Sequence, residues 1–291
     1  MSKKLVFTKD HLKRMHLIEL ELLTELDRVC QSHDIPYVIT AGTLLGAVRH
    51  KGFIPWDDDA DVAMLREDYE RFKLEAMKDL NPEICFFQDN STDPEYRWGY
   101  AKLRRTGTRY IREGQEHLKC KTGVFIDIFP MDDIPNNLMG QIFQDAYCYC
   151  CRKILWSEVG KKQSKGLKQI WFSILSKISP RSVYKALEIY TKKSRNESNN
   201  RVRLLLFIAP GMECYKHPLK ERFGLVKSWI SERALYNFEN LTLYGTKDYH
   251  AYLKYTYNDY MQLPPEEERE GHAPVSSIDL GDLFIHTIEN E

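Results

Sequence analysis

The sequence predicts an α/β (α+β) fold: a core with a mixed sheet over residues 1–138, followed by a mainly helical region over 139–291. Three observations lead there. Helical and strand periodicities intermix as far as residue 130. Beyond about residue 138 the pattern changes to long apolar-basic segments with helical spacing. The 291 residues, 43% hydrophobic and 29% charged, suffice for one large domain or two modest ones with a sizeable core.

The first helix is expected over Phe7–His33, where Leu12, Met15, Ile18, Leu22, Leu26, Val29 and Cys30 recur at three- and four-residue steps. Thr8 serves as N-cap, with Phe7 and Leu12 placed to form a hydrophobic staple. Tyr37–Thr40 reads as a short strand, Ala41-Gly42-Thr43 as a turn, and Leu44–Arg49 as a brief helix. Asp59–Leu65 is the next strand and Glu67–Leu80 the next helix. Glu83–Gln88, Trp98–Arg104 and Val124–Phe129 are further strands, the last closed by Pro130. Residues 139–195 divide near Pro180 into helices. Residues 216–260 read as partly helical and Tyr-rich, stopped by Pro264-Pro265.

The chemistry concentrates in Gly42–Leu65. Alternate strand residues share a face, which puts Asp59 and Asp61 side by side, with Asp57 in the same row if the chain is already extended there. Ala60 and Val62 face the other way, as a buried sheet side requires. Crowded carboxylates repel, and a divalent cation removes that cost; an all-oxygen ligand set favours Mg²⁺ or Mn²⁺. In Val124–Phe129 the only charge is Asp127, expected to face the same pocket and complete the set. The bland readings are an acidic turn or Ca²⁺ loop for Asp57–Asp59, and a buried salt bridge for Asp127. Gly42 and Thr43, between a strand and a helix N-terminus, suit a phosphate, and Arg49, His50 and Lys51 follow closely enough to neutralise one.

The stretch Gly42–Met64, GTLLGAVRHKGFIPWDDDADVAM, closely resembles the LicD family of phosphorylcholine transferases, which is related to the fukutin group and to the nucleotidyltransferase superfamily. VFIDIFP (124–130) and YNDYMQLPPEEEREGH (257–272) strengthen the resemblance, while residues 140–240 carry little of it. The resemblance implies a nucleotidyltransferase-like core whose C-terminal motif returns to the active site. It also implies transfer of phosphocholine from CDP-choline, or another phospho-alcohol from a CDP-alcohol, to a hydroxyl of a glycan or lipid-linked glycan, with CMP released. Teichoic acid and lipopolysaccharide precursors are both candidate acceptors. Asp59, Asp61 and Asp127 would be catalytic and, with Asp57, hold Mg²⁺. Nucleotidyl transfer with pyrophosphate release, or a non-catalytic scaffold, are the competing readings.

Among the remaining candidates, Trp98, Tyr100, Lys102 and Arg104 share one face of their expected strand. Lys102 is assigned to phosphate or nucleotide; Trp98, Tyr100, Arg104, Trp56 and His272 to substrate contacts. Structural packing is the alternative for each aromatic, and an ordinary surface position for His272. Cys148, Cys150 and Cys151 lack zinc spacing and read as ordinary cysteines. Net charge is zero, yet residues 152–203 hold fourteen Lys/Arg against three acids. That asymmetry fits either contact with an anionic membrane or a solvated basic helical face, and nucleic acid is not the expected partner. No signal peptide or spanning segment is read, so the expected location is cytoplasmic, at the inner face of the cell membrane.

Overall fold

The computed structural model describes residues 8–194, 200–206, 217–218, 221–269 and 274–281. Helix α1 (Lys9–Ser32) starts where the sequence places it, with the Thr8 hydroxyl accepting from the His11 backbone N–H at 3.2 Å. The partner expected of Leu12 in a staple, Phe7, lies outside the described residues. After α1 come β1 (Val38–Ile39), α2 (Ala41–Arg49), β2 (Asp61–Leu65), α3 (Arg66–Asp79), β3 (Cys85–Gln88), β4 (Ala101–Arg105), β5 (Arg109–Arg112) and β6 (Phe125–Asp133). Four helices follow: α4 (Leu138–Leu155), α5 (Ser157–Gln163), α6 (Gly166–Leu175) and α7 (Pro180–Ser194), the last opened by proline at its first turn. The chain ends with β7 (Arg201–Arg203), β8 (Leu225–Val226), α8 (Ser228–Ser231), β9 (Arg233–Phe238), β10 (Leu241–Thr246), α9 (Tyr249–Tyr257) and β11 (Val275–Asp279).

The main sheet is mixed, in the order β3-β4-β6-β2-β1-β10-β9, with β7 and β8 joined at the end of β6. β2 and β6 run parallel, as do β1 and β10; the other pairs are antiparallel. Residues beyond 138 thus contribute four strands to the sheet. Residues 216–260, expected to be helical in part, hold α8 and α9 with the unforeseen β9–β10 hairpin between them. Its Glu239-Asn240 turn has Glu239 at φ +52°, the left-handed geometry that a two-residue hairpin loop demands.

Two further expectations are corrected. Pro130 does not close its strand: β6 runs on to Asp133. β4 pairs with β6 only up to Ile128, and β7 joins at Asp132, so Pro130 falls where one flank of β6 has no neighbour to receive an N–H. The last helix ends at Tyr257, well before Pro264, because Asn258 turns into the left-handed region at φ +57°.

The core lies where α1 and α3 meet the sheet. Leu22, Leu23, Leu26 and Val29 of α1, Phe72 of α3, and Val62, Ile126 and Ile128 of the central strands are all fully buried. Each such side chain contributes about 1.5–3 kcal/mol on burial. That packing fixes β2 and β6 rigidly, and those two strands carry the acids.

Candidate active site

Strand register builds the site. On the parallel pair β2–β6, Asp61 stands opposite Asp127; on the antiparallel pair β4–β6, Lys102 stands opposite Asp127. Lys102, Asp127 and Asp61 therefore form one row across three adjacent strands. Asp59 reaches the row from the segment just before β2. Carboxylate oxygens of Asp59, Asp61 and Asp127 all lie within 4.8 Å of one another. The strand begins at Asp61 rather than Asp59, so Asp59 joins through loop geometry and not through strand alternation. Asp57, Asp58 and Asp59 form a second such group, also within 4.8 Å.

The local backbone is held tightly. The Asp127 N–H donates to the Ala60 carbonyl at 2.8 Å, and the Asp61 N–H donates to the Thr43 hydroxyl at 2.8 Å. Burial, followed by the charges of Asp59, Asp127 and Asp57, pushes the Asp61 carboxyl well above its ordinary range. Lys102 makes a short ion pair with Asp127, and its ammonium lies 3.2 Å from the Phe125 ring centroid. Its own burial brings that ammonium down to about 7, with Asp127 pulling the other way.

A crowded, buried, all-oxygen set with one carboxyl raised by its neighbours fits a hard divalent cation. Asp59, Asp61 and Asp127 are the residues that would hold it.

Three residues missed at the sequence level belong to this site. Arg112 of β5 places Nη2 3.5 Å from Asp59 Oδ2, while its Nε and Nη2 groups have no hydrogen-bond partner among the described residues. Tyr110, two residues earlier on the same face, donates its hydroxyl to Asp58 at 2.9 Å. The signal was the alternation in Thr-Arg-Tyr-Ile-Arg, but β5 is stabilised by pairing with β11, more than 160 residues away. The third is Glu19, on the core face of α1, fully buried with neither carboxylate oxygen hydrogen-bonded among the described residues. Burial first, then the charges of Asp59, Asp58, Asp57 and Asp61, raise its pKa strongly. Its position four residues after Met15 and three before Leu22 was the available clue.

Other expected residues sit differently. A Cβ on Gly42 would collide with Asp57 Oδ2, so that glycine makes room for a carboxylate; it is not an open phosphate cradle. Thr43 is buried with its hydroxyl accepting from Asp61. Arg49 donates to the Tyr260 carbonyl at 3.0 Å and to His50 Nε2 at 2.9 Å. Trp56 is flanked by Arg49, by the edge of His50 and by Arg269, at 5.9, 6.0 and 5.4 Å. These contacts tie the Gly42–Leu65 stretch to the C-terminal motif, and they occupy side chains expected to meet substrate. Lys51 is exposed at φ +64°, its carbonyl accepting from the Glu239 N–H. Arg104 is buried, donating to Gln88 and to the Gly123 carbonyl, and is structural. His272 lies outside the described residues.

Trp98 and Tyr100 line a cleft of about 650 Å³ together with Arg112, Trp156, Glu113 and Glu116. Tyr100 packs edge-on to Phe129 of β6 at 5.1 Å, and Lys102 sits 5.2 Å from the Tyr100 ring. The cleft therefore adjoins the acid row, with Arg112 at the junction. A larger cleft of about 1050 Å³ shares Trp98 and Tyr100 and carries Arg66, Lys73, Arg181 and Lys185.

A mixed sheet presenting a carboxylate trio beside an arginine and an aromatic cleft has the groups that metal-assisted group transfer would need. Residues 34–157 match the family described as LicD/FKTN/FKRP, nucleotidyltransferase domain, and contain all five aspartates, Lys102 and Arg112. The chain carries a LicD-family domain. The lipopolysaccharide cholinephosphotransferase LicD of Haemophilus influenzae is 26% identical over 283 residues, covering 90% of this chain and 95% of that protein. An uncharacterised protein of Rickettsia typhi is 43% identical over 66 residues, 22% of this chain and 21% of its own length. One of Rickettsia prowazekii is 46% identical over 48 residues, 16% of this chain and 18% of its own.

Proposed function

We propose that this protein is a Mg²⁺- or Mn²⁺-dependent phosphotransferase on a nucleotidyltransferase-like core. It would move phosphocholine, or a similar phospho-alcohol, from a CDP-alcohol to a hydroxyl of a cell-surface glycan precursor, lipopolysaccharide being favoured over teichoic acid, and release CMP. The observation that carries the reading is the convergence of Asp59, Asp61 and Asp127 beside Arg112 at the mouth of an aromatic cleft. The relationship to a cholinephosphotransferase over nine-tenths of the chain supports the class of group moved. Work at the inner face of the cell membrane, in the cytoplasm, fits this reading.

The roles follow from placement. Asp59, Asp61 and Asp127 would hold the cation, with Asp57 adjacent. Bound there, the cation would neutralise the donor's diphosphate and the charge developing at the transferred phosphorus. Arg112, whose Nε and Nη2 make no hydrogen bond among the described residues, would offer that phosphate a guanidinium suited to two oxygens. Lys102 holds Asp127 in place, and Asp127 is the nearest base on the sheet for the acceptor hydroxyl proton. Trp98, Tyr100 and Trp156, with Glu113 and Glu116, offer aromatic faces and negative charge to a quaternary ammonium. The larger cleft beyond Trp98, where Arg181 and Lys185 stand among paired charges, would leave room for the acceptor.

The test is product analysis with CDP-choline and a lipopolysaccharide core acceptor. Release of CMP with a phosphocholine-modified glycan is the expected result. Pyrophosphate release would assign nucleotidyl transfer instead, and an Asp59→Asn/Asp61→Asn variant that retains turnover would remove the metal site from the mechanism.

A further inference from the structure

Helix α6 carries a feature that group transfer does not use. Leu167 is 86% exposed, Ile170 58%, Trp171 42% and Ile174 59%. At about 100° per residue these four fall within an arc of roughly 100°. The helix is seated from its other side: Phe172 is buried, and a Cβ on Gly160 of α5 would lie 2.7 Å from its ring. The outer apolar face is therefore presented outward by a firmly packed scaffold. Among the described residues, no helix is long and apolar enough to cross a membrane.

The surroundings say what covers this face. Residues 159–187 contain seven cations (Lys161, Lys162, Lys165, Lys168, Lys177, Arg181 and Lys185) and no acidic residue. A second copy of the chain, docked face to face through α6, would bring seven positive charges against seven. A nucleic acid would use the cations and leave Leu167, Ile170 and Ile174 in water. Only a surface with negative charge outside and hydrocarbon a few ångströms beneath satisfies both halves.

We propose that α6 lies flat on an anionic lipid bilayer, with Leu167, Ile170, Trp171 and Ile174 sunk to the level of the acyl chains and the flanking lysines at the phosphate level. The docking has a consequence for the site. Gln163, which lines the aromatic cleft, is three residues from the first residue of α6, so a docked helix holds the cleft close to the lipid surface. A lipid-linked acceptor would then be met where it resides. The docking itself does not depend on the transfer reaction, and its test uses no substrate, so it stands or falls separately from the proposed chemistry.

The experiment is co-sedimentation of the full chain with vesicles of phosphatidylcholine alone, or containing about one-third phosphatidylglycerol, at about 0.05 M and 0.5 M salt. Binding to the anionic vesicles only, weakened at high salt, is expected, with a blue shift of tryptophan emission that Trp171→Phe abolishes. Ile170→Ser/Ile174→Ser alters exposed positions only, so an unchanged melting temperature is expected alongside a fall in partitioning of about tenfold or more. Lys165→Glu/Lys168→Glu should weaken binding through charge alone. The proposal is overturned if the wild-type chain ignores anionic vesicles at low salt, or if the isoleucine variant binds as the wild type does. Ultracentrifugation showing a wild-type dimer that the isoleucine variant dissociates would also overturn it, by assigning the face to self-association.

Discussion

Replacing Asp61 by Asn separates the electrostatic cost of the acid row from its use. Its carboxylate oxygen lies within 4.8 Å of oxygens of Asp59 and Asp127. At an effective dielectric of about 20, two unit charges at that distance repel by roughly 3.5 kcal/mol. Lys102 on Asp127 and Arg112 on Asp59 offset much of this, leaving a net cost of about 1–3 kcal/mol in the metal-free protein. In chelator, Asp61→Asn should therefore be more stable than the wild type, its melting temperature higher by roughly 2–8 °C. With Mg²⁺ at about a hundred times its Kd, the wild type should gain about 2.7 kcal/mol. The variant, lacking one ligand, should gain less than about a third of that. Differential scanning fluorimetry at matched ionic strength reads both numbers, because matching removes general screening. The reasoning fails if the variant is no more stable than wild type in chelator, or if Mg²⁺ stabilises both equally. The first result would mean that the carboxylates do not repel; the second, that the ion binds elsewhere.

Three further outcomes are expected. Arg112→Lys should lower kcat by about 10²–10³ while leaving Mg²⁺ stabilisation intact, since an ammonium cannot reproduce the two-pronged contact; steady-state kinetics beside thermal shifts checks this, and full activity would remove Arg112 from the phosphate. Trp156→Ala should raise the KM for a choline donor by about tenfold or more but leave that for a CDP-glycerol donor nearly unchanged, as cation–π recognition requires; equal losses on both would assign Trp156 to packing. Glu19→Gln should show a pH-dependent gain in urea denaturation with chelator present. Because the folded-state pKa is raised, the stability Glu19 allows is complete below its ordinary value of 4.5 and is lost as pH rises, so the variant should match wild type near pH 4 and exceed it by about 1–3 kcal/mol near pH 8; a difference independent of pH would mean that the buried carboxyl is not charged there.

How much of this was legible in the sequence depended on the range of the interactions. Asp127 was readable because a single charge inside Val-Phe-Ile-Asp-Ile-Phe has few reasons to exist, and Lys102 because alternation in Tyr-Ala-Lys-Leu-Arg puts it on a face with Tyr100. Arg112 was not, because β5 is four residues long and exists through its pairing with β11. The packing of Arg49 and Trp56 was hidden for the same reason: their partners, Tyr260 and Arg269, come from the far end of the chain. The β9–β10 hairpin was a different failure. Its alternation was present in Leu241–Thr246, but the Glu239-Asn240 turn lacks the glycine that usually announces a hairpin.

The charge arrangement explains why Gly42 does not behave as a simple phosphate turn. Asp57, Asp58, Asp59, Asp61 and Asp127 gather five carboxyl groups, with Lys102 paired to Asp127 and Arg112 to Asp59, so acidic groups outnumber these two cations at the mouth of the cleft. Asp57 lies directly over Gly42, so a bare diphosphate approaching the start of α2 would meet a carboxylate before it met an N–H group. The helix end, worth at most about half a positive charge, cannot reverse that balance. A divalent cation can. On the proposed chemistry an ordering would follow from electrostatics: the diphosphate would arrive with its cation or after it, and the glycine would serve the acid beside the ion. Glu19 behind the cluster tightens the same constraint, since its burial first, and the neighbouring aspartates after it, disfavour a further negative charge there. The crowding of carboxyl groups would thus be relieved by a hard divalent cation, and the phosphate site would come into being with that relief.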